Sequence, residues 1–210
     1  MLSCKQLIAS LAVILLSAHG VAASEDVLEI AYAYRDGGGY DSAWKGTGVP
    51  EDVKFQKTLI LKEGNGSYCC GYTLAVVMKA AERRGLLEGK SPQQLRKFQK
   101  QWYGATEESR ETLCALAVET LGIGKAIQPD EARPGDFLQF WRANGSGHSV
   151  VFLKWITHSG KRVGFRYRSS QGSTNGIGDR TEFFAGTPGE NGAVVPERMY
   201  FCRLADAADE

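Results

Sequence analysis

Residues 133–171 read RPGDFLQFWRANGSGHSVVFLKWITHSGKRVGFRYRSSQ, and the fold turns on how this stretch divides. Three runs rich in β-branched and aromatic residues, at 136–141, 148–156 and 162–170, are separated by RANGSG and THSGK, both made of turn residues. That pattern predicts antiparallel strands. With the second turn centred on Ser159–Gly160, facing residues have numbers adding to 319, which sets Gln171 across from His148. Opposed residues on one face have Cβ atoms about 4.5–5.5 Å apart, so a side-chain amide there reaches the imidazole. Val163, Phe165 and Tyr167 share that face, while Arg166 and Arg168 point away. The alternation marks it as the buried side, the one on which a helix is expected to pack. Ser169 is the second candidate partner for His148; Ser170 and Asn175 fit less well.

Upstream of this region the period is helical. SYCCGYT at 67–73 leads into a segment, about Cys69 to Arg84, that is apolar nearly all round and therefore central and buried. Ser91 followed by Pro92 starts a second helix with one apolar stripe, Leu95, Phe98 and Trp102. Lys97 and Lys100 read as its solvated face. Residues 106–124 predict a third, capped by Thr106, acidic in its first turn and closed at Gly122. EDVLEIAYAY gives a short helix, RDGGGYDSAWKGTGVP a loop, and VKFQKTLILK a strand. RMYFCRL near the end gives a last strand. Helices first and an antiparallel sheet after them indicate an α+β fold.

The first residues carry a basic start at Lys5, the ten-residue apolar run LIASLAVILL and the small-residue stretch SAHGVAAS. This is the layout of a secretory signal peptide cut after Ala23, and the run is too short to span a bilayer. The expected product is exported, periplasmic or secreted, with no stable membrane insertion. Loss of Lys5 brings the 25 basic residues level with the 24 acidic ones. A neutral chain has no electrostatic claim on nucleic acid, and that class is set aside.

Cys69, Cys70, Cys114 and Cys202 remain after the leader. Four cysteines in a domain of this size do not make a disulfide scaffold. Adjacent thiolates rarely reach one metal in tetrahedral geometry, so zinc is not expected either. Cys114 and Cys202 read as packed thiols or a bridge. A thiol is a nucleophile only as thiolate, which a helix N-terminus and a nearby imidazole both favour. Cys69 and Cys70 sit in such a first turn. His19 departs with the leader and His158 occupies a turn tip, which leaves His148. Trp44, Trp141, Trp155, Tyr72 and Tyr167 fit a core as well as a cleft.

YCCGYT at a helix start, then RPGDFLQFW, then GSGHSVVFLKWI, resembles the NlpC family of bacterial cell-wall cysteine peptidases and is similar to the related CHAP amidases. Matched residue by residue, Cys69 takes the nucleophile position, Cys70 that of the serine after it, and Gly71 follows. Pro134, Gly135 and Asp136 match the second motif, and Gly147 and His148 the third. The resemblance spans residues 68–171 and implies a papain-like fold with amide hydrolysis through an acyl-enzyme. Tyr68 departs from the aspartate common before the nucleophile, and residues 24–66 lie outside the resemblance.

Cys70 falls in helical register with Leu74, Val77, Met78 and Ala81, as a buried small residue does, so Cys69 is favoured as nucleophile. Cys-Gly opens the catalytic helix in other papain-like peptidases, which keeps Cys70 open. The expected organisation is a signal peptide at 1–23, an extension packing on the core at 24–66, the hydrolase domain at 67–204 and a disordered tail at 205–210. The expected catalytic set is Cys69, His148 and Gln171, with no metal or organic cofactor. The partner is a peptidoglycan or peptide substrate. Two other readings stay open: an inactive binding module of the same fold, and an acyltransferase or transglutaminase-like enzyme.

Overall fold

The β-rich run at residues 133–171 forms the spine of the computed structural model, which describes residues 19–207. Its strands are β5 (Phe137–Arg142), β6 (Gly147–His158) and β7 (Lys161–Gln171). Four further strands extend the sheet: β1 (Gly37–Gly38), β4 (Gly124–Ile127), β8 (Gly176–Phe183) and β9 (Val194–Leu204). Their order is β1-β8-β7-β6-β5-β9-β4, with every paired neighbour antiparallel. Among the described residues there are four α-helices: α1 (His19–Ala33), α2 (Cys69–Arg83), α3 (Pro92–Trp102) and α4 (Cys114–Leu121). The α+β class therefore holds. The leader assigned to residues 1–23 lies, from 1 to 18, outside the described residues, as does the tail from 208.

The hairpin register contains two irregularities that cancel. Thr157 faces Arg162, but Ile156 faces Gly164, so β7 carries Val163 as an extra residue. Lys154 faces Arg166 and Phe152 faces Tyr167, so β6 in turn carries Leu153 as an extra residue. Each bulge shifts the pairing by one and the second undoes the first. At Phe152–Tyr167 and Val151–Arg168, where the pairing ends, the strands are back in the register expected from the turn, and the His148 and Gln171 side chains meet beyond it.

Packing corrects the expected helix-bearing face. The face of Phe165, Tyr167 and Gln171 is buried, but not by α2. Phe140, Val150, Phe152, Phe165, Tyr167 and Phe201 fill a cluster of their own within the sheet. A bridge between Phe184 and Val194 joins the end of β8 to the start of β9, curling the strands around that cluster. The helices pack on the opposite face, against Phe137, Val151 and Cys202. Arg168 also lies there, 2 % exposed, donating to the carbonyls of Ala31 and Tyr34. Both faces of β6 and β7 are buried, so alternation alone identifies no helix side.

Two other expectations change. Residues 53–62 make a hairpin, β2 (Val53–Phe55) and β3 (Thr58–Leu61), because Gln56 adopts a left-handed conformation (φ 54°) without a glycine or proline to announce it. The helix expected from Thr106 is broken into a short 3-10 turn, Glu107–Ser109, and α4. The break has a tertiary cause. Glu111's carbonyl accepts from the Trp141 indole (2.8 Å) and its carboxylate binds Arg198 and Tyr200.

Candidate active site

α2 begins at Cys69 after Tyr68, whose side chain makes no capping hydrogen bond. The first-turn N–H groups of a helix have no partner within it, and here no N-cap side chain takes one. The start of α2 is fixed from outside. Tyr68 N–H donates to the Gly48 carbonyl (3.2 Å) and its hydroxyl to Gly46 (3.0 Å). Gly71 is pressed onto the same loop so closely that a Cβ there would sit 2.0 Å from the Gly48 oxygen. Only glycine fits, which explains the residue after the two cysteines.

The adjacent cysteines have different surroundings. Their sulfurs are 3.7 Å apart. Cys70 packs against the helix-side core, and its sulfur lies 3.7 Å from the Ser149 hydroxyl, which itself donates to Gln139 Oε1 (2.6 Å). Cys69 faces the start of β6. The Cys70 hydrogen bond is the largest influence holding its thiol well below the usual range; the His148 imidazole and Ser149 backbone N–H add to it against the opposing effect of burial. Cys70 is driven the other way, by its hydrogen bond to Cys69, by burial and by the charge on Cys69. The site therefore favours one thiolate, at Cys69. The first-turn helix dipole acts in the same sense.

His148 is 6 % exposed, at the second position of β6, with its ring between Phe140 (centroids 5.7 Å) and Tyr167 (5.4 Å). Its Nε2 lies 3.4 Å from Gln171 Oε1, leaving Nδ1 for the thiol. The Gln171 amide is oriented in turn: its Nε2 donates to Thr174 Oγ1 (2.6 Å) and to the Gly178 carbonyl (3.2 Å), so its oxygen points at the ring. Ser169, the second candidate, spends its hydroxyl on the Ser149 carbonyl (2.7 Å). Asn175 caps a 3-10 turn in left-handed conformation. Cys69, His148 and Gln171 are thus brought together, and His158 is exposed at its turn.

A buried pair behind the imidazole was not read from the sequence. Tyr167 donates its hydroxyl to Glu182 Oε1 (2.8 Å), and Glu182 is held by two hydrogen bonds from Arg142 (2.7 and 2.5 Å). Glu182 sits on β8, whose GIGDRTEF is glycine-rich and charged and gives no strand signal. Cys114 and Cys202 are buried free thiols on α4 and β9. Among the described residues no group of three or more His, Cys, Asp or Glu is placed to hold a metal. No described helix is long and apolar enough to cross a membrane. No protein-family model matches the chain, and neither a curated protein nor a solved structure matches it.

Proposed function

We propose that the chain is a cysteine hydrolase of amide bonds, with a papain-like arrangement akin to that of the NlpC and CHAP enzymes. One observation carries the reading: the Cys69 thiol, depressed at a helix start, neighbours an imidazole whose far nitrogen meets an oriented amide. Nucleophile, base and orienter in contact form the arrangement that thiol catalysis needs.

The proton of Cys69 passes to His148 Nδ1, giving a thiolate and an imidazolium. The thiolate attacks the amide carbon, and the oxyanion forms beside the Cys69 backbone N–H, which serves as a donor. His148 protonates the leaving amine, and the acyl group stays on sulfur. Water, deprotonated by the now neutral imidazole, releases the acid and restores the thiol. Gln171 fixes the ring throughout. No metal or organic cofactor enters these steps.

The substrate proposed is a stem or crosslink peptide of peptidoglycan, and the site of action proposed is outside the cytoplasm; the leader-like N-terminus and the motif resemblance support both. Digestion of purified cell wall by the protein, with masses of the released fragments, tests the substrate. Pairs of fragments whose masses add up to that of the parent peptide plus one water, absent with Cys69→Ser, are expected. An unchanged wall overturns the substrate, and incorporation of an added amine in place of water indicates acyl transfer.

A further inference from the structure

The Arg142–Glu182 pair has a position that core packing alone does not require. Arg142 lies at the end of β5 and Glu182 near the end of β8, and both are largely withdrawn from solvent, with side-chain exposures of 19 % and 8 %. A buried ion pair often contributes less stability than well-packed apolar residues of the same volume. Its surroundings suggest another use. The Arg142 guanidinium stacks 5.0 Å over the Phe140 ring, whose edge meets His148, and Glu182 receives the hydroxyl of Tyr167, the ring on the other side of His148. The imidazole is therefore held between two aromatic rings, each backed by one member of the pair.

We propose that Arg142 and Glu182 are positioning residues whose buried charges hold the Cys69 proton on His148, the guanidinium stabilising the thiolate and the carboxylate the imidazolium. This rests on the thiol-hydrolase reading above. Gln171 is neutral and orients the ring without supplying a counter-charge. Among the described residues no carboxylate hydrogen-bonds His148, so Glu182, reached through Tyr167, fills the electrostatic part of the third group's role at one remove. Two effects agree with this arrangement. Burial opposes ionisation of Glu182, yet Arg142, Tyr167 and His148 together bring its pKa below the usual value. Burial also opposes the charge on Arg142, and Glu182, with smaller contributions from Tyr167 and Cys69, outweighs it. The charged or titratable groups around the ring are Cys69 and Cys70 from α2, Arg142 from β5, Tyr167 from β7, and Glu182 with Arg180 from β8. Arg180 approaches Glu182 only to 4.0 Å and is half-exposed, so it offsets the carboxylate weakly.

Two titrations on the full protein test this: the His148 ring by NMR, with exposed His158 as internal reference, and the rate of Cys69 alkylation by iodoacetamide. Glu182→Gln is expected to weaken proton binding at His148 about tenfold, a one-unit shift, and Gln171→Ala to weaken it less. Because Glu182→Gln leaves Arg142 buried and alone, where it still favours the thiolate, Arg142→Gln/Glu182→Gln is the companion variant; it leaves no orphaned charge and is expected to lower the pH at which His148 loses its proton and to raise the pH needed for fast alkylation. Unshifted titrations in the folded double variant overturn the proposal. A neutral His148 beside a protonated Cys69 in the unmodified protein instead overturns the hydrolase reading on which it rests.

Discussion

Cys69 and Cys70 differ by one step around a helix, and that step separates a thiol whose pKa is lowered from one whose pKa is raised. Cys69→Ser is expected to abolish turnover, whereas Cys70→Ser retains most of it, since a serine hydroxyl there still donates to Cys69 and still meets Ser149; turnover assays of both variants decide the register. His148→Ala is expected to lower turnover by about 10²–10⁴-fold. Gln171→Ala removes one neutral hydrogen bond to the ring, about 1 kcal/mol or roughly fivefold, with folding near intact by thermal melting. Ser169→Ala acts less on turnover, because its hydroxyl is committed to a backbone carbonyl. The contact between His148 and Gln171 was legible because a tight turn fixes register over a whole hairpin. It survived two bulges only because one sits on each strand. Glu182 was not legible: its partners lie on other strands, at sequence distances of 15 and 40 residues.

At the scale of elements, α2 was readable almost to the residue, since its apolar run is long and Gly71 has a steric reason to be there. Gly71→Ala drives a methyl into the backbone of Gly48. It is expected to cost at least about 1–3 kcal/mol, seen as a lower denaturant midpoint, and to displace the loop at 46–48 that seats Tyr68. The segment at 106–122 reads as a continuous helix because its local signals are helical. The break arises from Trp141, Arg198 and Tyr200, which claim the backbone and side chain of Glu111 from other strands. Local propensity carries no trace of such claims. β4 and β8 escaped for a related reason: GKAI and GIGDRTEF are too short or too polar to show a period of two, and pairing with β9 and β7 makes them strands.

For the whole molecule, the curled sheet explains why the site sits where it does. One face carries the helices and positions α2, the other closes on an aromatic core, and His148 enters that second core beside the start of α2. The same closure buries Glu182 with Arg142 and gives stability a dependence on acid. The folded-state pKa of Glu182 is depressed, so its contribution is fully present above the unfolded value of about 4.3. It is lost as the pH falls through the lower folded value. Stability measured by denaturant from about pH 7 down to about pH 3 is expected to fall more steeply in the unmodified protein than in Glu182→Gln, which starts lower by about 3–5 kcal/mol because Arg142 is left unpaired. Parallel slopes would remove Glu182 from the account of acid sensitivity.

The central claim is that Cys69 is a thiolate because His148 holds its proton. The pH dependence of iodoacetamide alkylation, measured on Cys70→Ser protein with and without His148→Ala, tests it most directly, with the modified residue located by mass spectrometry. An ordinary thiol, with a pKa near 8.5, is almost wholly protonated at about pH 6. Fast modification of Cys69 at that pH, lost when His148 is replaced and recovered only in alkali, is the result predicted. Slow alkylation that rises near pH 8.5 in both proteins would contradict it.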